Sequence, residues 1–120
     1  RNTNTIILDA YNANPSSMRV AIQNFTQMDF PNKVVIIGGM MELGEDSVME
    51  HQQIVDLLKE SHWNHVLLVG GDFAKTEHPY TFVANHEAAA ELLNKIAPTH
   101  VGILIKGSRA FTLEKILDKF

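Results

Sequence analysis

The stretch Thr5-Ile6-Ile7-Leu8-Asp9-Ala10-Tyr11-Asn12-Ala13-Asn14-Pro15-Ser16-Ser17-Met18 decides how this chain is read. Thr5 to Leu8 is a short apolar run of the kind that forms a strand covered on both faces. A helix follows at once. Asn14 is a candidate N-cap, Pro15 suits the first helical turn, and Met18, Ala21, Ile22 and Phe25 share one helical face. Asp9, Tyr11, Asn12 and Asn14 are therefore gathered where a strand stops and a helix begins, which is where open α/β sheets bind ligands. A carboxylate there can accept two hydrogen bonds from a ribose diol, and an aromatic or amide group can pack on a base or sugar. Against this stands the plainer reading that Asp9 and Asn14 only cap and turn the chain.

The same alternation continues along the sequence. Further strand candidates are Val34–Ile37, Val66–Val69, Tyr80–Val83 and Val101–Ile105, all apolar and most with little polar alternation. A second helix is expected from about Asp46 to Glu60, with Val48, His51, Val55 and Leu58 inward. A third runs from His86 to Ile96, capped by Asn85, with Ala89, Leu92, Leu93 and Ile96 inward and Pro98 beyond its end. A fourth is expected from Ala110 to Lys119, with Leu113, Ile116, Leu117 and Phe120 inward. Gly71–Thr76 has room for one short helical turn. This order implies right-handed crossovers and an α/β domain, with a mainly parallel sheet of five or six strands and helices on both faces. Tyr80–Val83, short and preceded by His78-Pro79, is a candidate edge strand.

The 120 residues suit one domain, and 45% hydrophobic with 20% charged residues is ordinary globular material. A formal net charge of −4 argues against nucleic acid as a partner, because phosphate-backbone affinity is carried by Lys and Arg. There are no cysteines, which removes disulfides and thiolate metal sites. No apolar run approaches the roughly 20 residues that span a bilayer. Arg1-Asn2-Thr3-Asn4 reads as a linker with no initiator Met, so the chain is expected to be a piece of a longer protein.

Two more loops leave strand ends. Gly38-Gly39-Met40-Met41-Glu42-Leu43-Gly44-Glu45 lets backbone approach a ligand, or is simply a connection with packed methionines; both readings stand. It lacks the G-x-G-x-x-G spacing of a dinucleotide fingerprint. Glu42 and Glu45 are accounted for by the helix dipole that follows. Lys106-Gly107-Ser108-Arg109 precedes a helix and suits an anion, with Gly107 clearing the approach and Arg109 able to bind bidentately. The plainer alternative is a Ser N-cap with solvated cations. Gly70-Gly71-Asp72-Phe73-Ala74-Lys75-Thr76 falls short of a phosphate loop by one residue and one glycine, and reads as a surface turn. None of the 6 histidines falls at tight metal spacing, and His51 reads as a satisfied, half-buried side chain.

Taken in order, the three loops resemble the C-terminal domain of the Mur ligases of peptidoglycan synthesis, and among them the MurF type that adds D-alanyl-D-alanine. The pieces are Asp9-Ala10-Tyr11-Asn12-Ala13-Asn14-Pro15 with Ser17-Met18, then Gly38 through Met41-Glu42-Leu43-Gly44-Glu45 with Glu50-His51, then Lys106-Gly107-Ser108-Arg109. The family commonly has Gly-Asp-Met where this chain has Gly38-Gly39-Met40, so Gly39 is assigned no role.

The resemblance implies a Rossmann-like domain within a three-domain cytoplasmic bacterial enzyme. It implies partners in the same polypeptide, a central ATPase domain and an N-terminal domain for the UDP-linked substrate. It also implies ATP, Mg²⁺ held by the central domain, UDP-N-acetylmuramoyl-tripeptide and D-alanyl-D-alanine. On this reading Asp9 contacts the ribose of ATP, and Tyr11, Asn12 and Asn14 line the nucleotide cleft. Lys106, Ser108 and Arg109 lie near the dipeptide. No catalytic residue and no metal ligand is expected in this domain by itself. A folylpolyglutamate synthase-type ligase, or a free-standing nucleotide- or protein-binding α/β module, are the rival readings.

Overall fold

A computed structural model describes residues 4–10 and 13–119. The strands are β1 (Thr5–Asp9), β2 (Lys33–Gly38), β3 (His65–Val69), β4 (Thr81–Val83) and β5 (Gly102–Lys106). The α-helices are α1 (Pro15–Gln27), α2 (Ser47–Leu58), α3 (His86–Ile96) and the short α4 (Ile116–Lys119). The described strands form one 5-stranded sheet in the order β1-β5-β2-β3-β4, parallel throughout. The three inner strands are fully apolar in their centres because helices cover both faces, as the uninterrupted Val and Ile runs imply.

Successive side chains of each strand point to opposite faces, so the core divides in two. Val35, Ile37, Leu68 and Leu104 meet Met18, Ile22 and Phe25 of α1 and Ile54, Val55 and Leu58 of α2. Val34, Ile36, Leu67, Val69, Ile103 and Ile105 meet Ala89, Ala90 and Leu93 of α3 and Leu113 and Ile116 of the C-terminal segment. Trp63 closes the first layer: it stacks on Phe25 at 5.8 Å and its Nε1 donates to the Leu58 carbonyl at 2.8 Å.

Helix starts follow their caps. Asn14 Oδ1 accepts the Ser17 N–H at 2.9 Å, and Ser17 Oγ returns the bond to the Asn14 N–H at 3.1 Å. Asn85 caps α3 through the Ala88 N–H at 2.9 Å. A 3-10 turn over Gly71–Lys75 occupies the stretch with room for helix, and β4 is an edge strand. That stretch is more than a surface turn, since Phe73 is fully buried.

Three expectations fail. The strand β1 is not covered on both faces: it is an edge of the sheet, partly exposed along its length, with Leu8 open to solvent. The fourth helix is not continuous: 3-10 turns over Arg109–Phe111 and Leu113–Lys115 are separated by Thr112 in the left-handed region at φ 43°, and only Ile116–Lys119 is α-helical. The apolar spacing of Leu113, Ile116 and Leu117 is genuine, but the chain must first fold back over the sheet. Phe120, placed inward by that reading, lies outside the described residues. Val48, in the first turn of α2, is exposed, while His51, Val55 and Leu58 of the same stripe are buried together with Ile54.

Ala97 ends α3 with φ 48°, a left-handed conformation that a Cβ disfavours. Ala97→Gly is expected to raise the unfolding free energy by about 0.5–1 kcal/mol. Urea denaturation of the chain checks this; a lower midpoint would contradict strain at that residue.

Candidate functional site

After β1 and β2 the chain passes to the face carrying α1 and α2; after β5 it passes to the opposite face. The loops on either side of β5 therefore diverge, and a crevice opens at the carboxyl edge of the sheet. Two connected observations locate it. A cavity of about 320 Å³ is lined by Leu8, Asp9, Ala10, Arg109 and Glu114. A second, of about 600 Å³, is bounded by Asn14, Glu42, Leu43, Ser108 and Arg109. Arg109 belongs to both, so the loops after β1, β2 and β5 share one rim.

Asp9 and Lys106 are register partners on the neighbouring parallel strands β1 and β5. Their side chains meet on the same face, with Lys106 Nζ donating to Asp9 Oδ2 at 2.6 Å. Lys106 is 1% exposed, whereas the Asp9 carboxylate is 49% exposed. The cation is thus buried and the anion half-presented. This differs from a solvated cation at the rim. Removing Asp9 would take away the carboxylate that answers this buried charge, which is destabilising.

Ser108 and Arg109 sit on the turn that follows. Ser108 Oγ does not cap that turn, and it is buried with no hydrogen-bond partner among the described residues. Glu114 Oε2 is in the same condition. Gly107 also has a different reason from the one expected. A Cβ there would lie 2.7 Å from Leu113 Cδ1, so the missing side chain makes room for packing rather than for an anion.

His51 secures the loop after β2. It is fully buried, Nδ1 donates to the Ser47 carbonyl at 2.7 Å, and Nε2 accepts the Met40 N–H at 2.9 Å. These roles assign the neutral tautomer with its proton on Nδ1. Phe73 stands edge-on to the ring at 4.7 Å. Beside it the β2 and β3 exits touch: a Cβ on Gly39 would fall 2.7 Å from Gly71 Cα. That close approach accounts for Gly39. Nearby, the Ser47 side chain hydrogen-bonds to Asp72 and holds its carboxyl below the usual carboxylate range.

Of the residues singled out from sequence, Asp9, Asn14, Ser108 and Arg109 line the crevice and Lys106 lies beneath it. Tyr11 and Asn12 lie outside the described residues. Asn14 both caps α1 and borders the cleft. Phe111, Leu113 and Glu114 at this rim were not singled out as site residues. Nothing in a helical periodicity reveals a segment folded back over glycines. Among the described residues no group of three His, Asp or Glu side chains converges as metal ligands. None of their helices is long and apolar enough to cross a membrane.

A parallel α/β domain whose diverging strand-end loops gather a carboxylate, an amide, a hydroxyl and a guanidinium round one crevice is a Rossmann-like module with a candidate ligand site at its strand ends. Residues 1–109 match the family described as "Mur ligase, glutamate ligase domain". The chain belongs to that family. It is 36% identical over 124 residues to the UDP-N-acetylmuramoyl-tripeptide--D-alanyl-D-alanine ligase of Rickettsia prowazekii, covering 96% of this chain and 27% of that protein. The Escherichia coli ligase of the same name is 34% identical, with 95% and 26% covered. The chain therefore spans about a quarter of the length of these relatives. A crystal structure of MurF from Acinetobacter baumannii superposes with a TM-score of 0.80 at 29% identity, covering 98% of this chain and 28% of that one. The fold is also that of the Thermotoga maritima MurF ligase, determined in complex with ADP, with a TM-score of 0.85 at 23% identity and 100% and 28% covered.

His51→Leu removes both ring bonds and leaves the buried Met40 N–H unpaired, so it is expected to lower stability by about 2 kcal/mol. Urea denaturation measures this, and a loss under about 0.5 kcal/mol would contradict the structural role of the ring.

Proposed function

We propose that the chain is the C-terminal domain of a bacterial cytoplasmic, ATP-dependent ligase of three domains. The enzyme adds D-alanyl-D-alanine to UDP-N-acetylmuramoyl-tripeptide. The observation that carries this reading is the shared rim: Asp9 and Arg109 line one cavity although 100 positions separate them in the sequence. The relatives at 34% and 36% identity, both bearing that activity in their names, support it.

In the proposed reaction the γ-phosphoryl group of ATP passes to the terminal carboxylate of the tripeptide, releasing ADP. The dipeptide amine then attacks the carbonyl carbon of this acyl phosphate. The amide C–N bond forms, the C–O bond to phosphate breaks, and the amine releases a proton. Mg²⁺ and the phosphate-binding loop are assigned to the central domain. There the metal would neutralise charge on the transferring phosphoryl group.

This chain supplies binding and closure. Lys106 holds one carboxylate oxygen of Asp9, so the other is presented to the ribose hydroxyls. Asn14 borders the nucleotide side, and Tyr11 and Asn12 are proposed as further contacts to the nucleotide. Arg109 and Ser108 are assigned to the dipeptide: the guanidinium matches a carboxylate, and the buried Ser108 Oγ lacks a hydrogen-bond partner among the described residues, which a polar group of the ligand would supply. Lys106 acts through Asp9 rather than by direct contact with the dipeptide, since its ammonium is buried against that carboxylate. Bringing this rim onto the central domain would exclude water that otherwise hydrolyses the acyl phosphate.

Steady-state kinetics of the intact ligase tests these roles. Asp9→Ala is expected to raise KM for ATP about tenfold, and Lys106→Gln to raise it in the same direction. Arg109→Ala is expected to raise KM for D-alanyl-D-alanine about tenfold with little change for ATP. Unchanged constants in all three variants would overturn the assignment.

A further inference from the structure

The carboxyl ends of β2, β3 and β5 lie side by side, and each runs into a glycine: Gly38, Gly70 and Gly107. Gly70 and Gly107 have no space for a side chain, and Gly38 has little. A Cβ on Gly70 would lie 2.9 Å from Cδ1 and 3.0 Å from Cζ of Phe111, so the aromatic ring rests directly on that backbone. Gly70 is also held at φ 69° and ψ −170°, a conformation essentially restricted to glycine. A Cβ on Gly38 would lie 3.6 Å from the same ring and 3.2 Å from Leu113 Cδ1. The strand ends thus form a bare seat, and Phe111 with Leu113 fills it.

The turn carrying Arg109 is suspended between fixed points. On one side the Gly107 N–H donates to the Asp9 carbonyl at 3.1 Å, continuing the ladder between β1 and β5. On the other, Thr112 takes the left-handed conformation at φ 43°, and its Oγ1 lies 3.2 Å from Nδ1 of His86 at the start of α3. A β-branched residue in that region is a genuine outlier. The segment accepts this strain where an ordinary helix from Ala110 onward would have avoided it. The Phe111 N–H closes the turn on the Ser108 carbonyl at 3.2 Å.

We propose that Phe111 is the positioning residue of the rim: seated on Gly70 and Gly38, it sets the turn from which Arg109 enters the crevice. It touches no ligand. It acts through Arg109, and the strain at Thr112 is the consequence of turning the chain so that the ring reaches its seat. The functional part of this inference rests on the proposed dipeptide role of Arg109; the positioning part does not.

The test has a kinetic arm and a ligand-free arm. In the intact ligase, Phe111→Ala is expected to raise KM for D-alanyl-D-alanine about tenfold while KM for ATP stays within about twofold. Phe111→Met refills the seat with a flexible apolar side chain. It is expected to restore the dipeptide constant, and it keeps the test open where the alanine variant does not fold. In an Arg109→Ala background, Phe111→Ala is expected to produce no further rise, because both changes remove one function. Additive effects, or equal rises for both substrates, would overturn the proposal. In the ligand-free arm, ¹⁵N relaxation of the amides of residues 108–111 is expected to show lower order in Phe111→Ala than in Phe111→Met. If order is lost but Arg109→Ala leaves the dipeptide constant unchanged, the dipeptide reading fails and the positioning stands. Order retained in Phe111→Ala overturns the positioning itself.

Discussion

Three adjacent strand ends with no side chains are the constraint on which the rest of this structure depends. Parallel strands at the centre of a sheet are covered above and below, and their exits compete for the same space. Here Gly38, Gly70 and Gly107 withdraw from that competition, and the segment after β5 lies across them. One consequence is the broken fourth helix, whose left-handed Thr112 is the pivot of the fold-back. The second is the placement of Arg109, carried by this segment to the cavity that Asp9 lines from β1. Larger side chains at these strand ends would push the covering segment outward and separate the two charged groups.

The ion pair beneath the rim adds orientation. A fully buried ammonium is costly unless a carboxylate answers it. Lys106 and Asp9 meet this requirement asymmetrically, since one partner is shut away and the other stands half in solvent. Such a pair is poor evidence of net stabilisation. It is good evidence of a fixed carboxylate, because an oxygen bonded at 2.6 Å to an immobile cation cannot swing freely. His51 plays the corresponding part for the β2 exit, with both ring nitrogens committed to backbone. The rim thus rests on buried polar anchors, with the Asp9 carboxylate half-exposed above them.

Much of the fold could be read from periodicity and capping. The Val and Ile runs of β2, β3 and β5 mark strands covered on both faces, and Asn14-Pro15 and Asn85 mark helix starts through bonds that the structure contains. The site was legible as a set of strand-end loops because polar residues cluster where sheet edges open. What could not be read depends on contacts distant in sequence. Gly107 looks like an opening for an anion until Leu113 is seen against it, and Lys106 looks solvated until its register with Asp9 is known. The apolar spacing after Ala110 fits a helix equally well whether or not the chain first doubles back. Val48 shares the stripe of His51, Val55 and Leu58 but lies in the first turn of α2, and spacing alone does not show that this turn stands outside the core.

A crystal structure of the proposed full-length ligase with a nucleotide and D-alanyl-D-alanine bound is the most direct test of one rim serving both ligands. The account predicts that the Asp9 oxygen not held by Lys106 lies within hydrogen-bond distance of the ribose. It also predicts that the Arg109 guanidinium meets the dipeptide in the same crevice, with Phe111 still seated on Gly70. Either ligand bound on another face of this domain, with the crevice between β1 and β5 left to solvent, would contradict it.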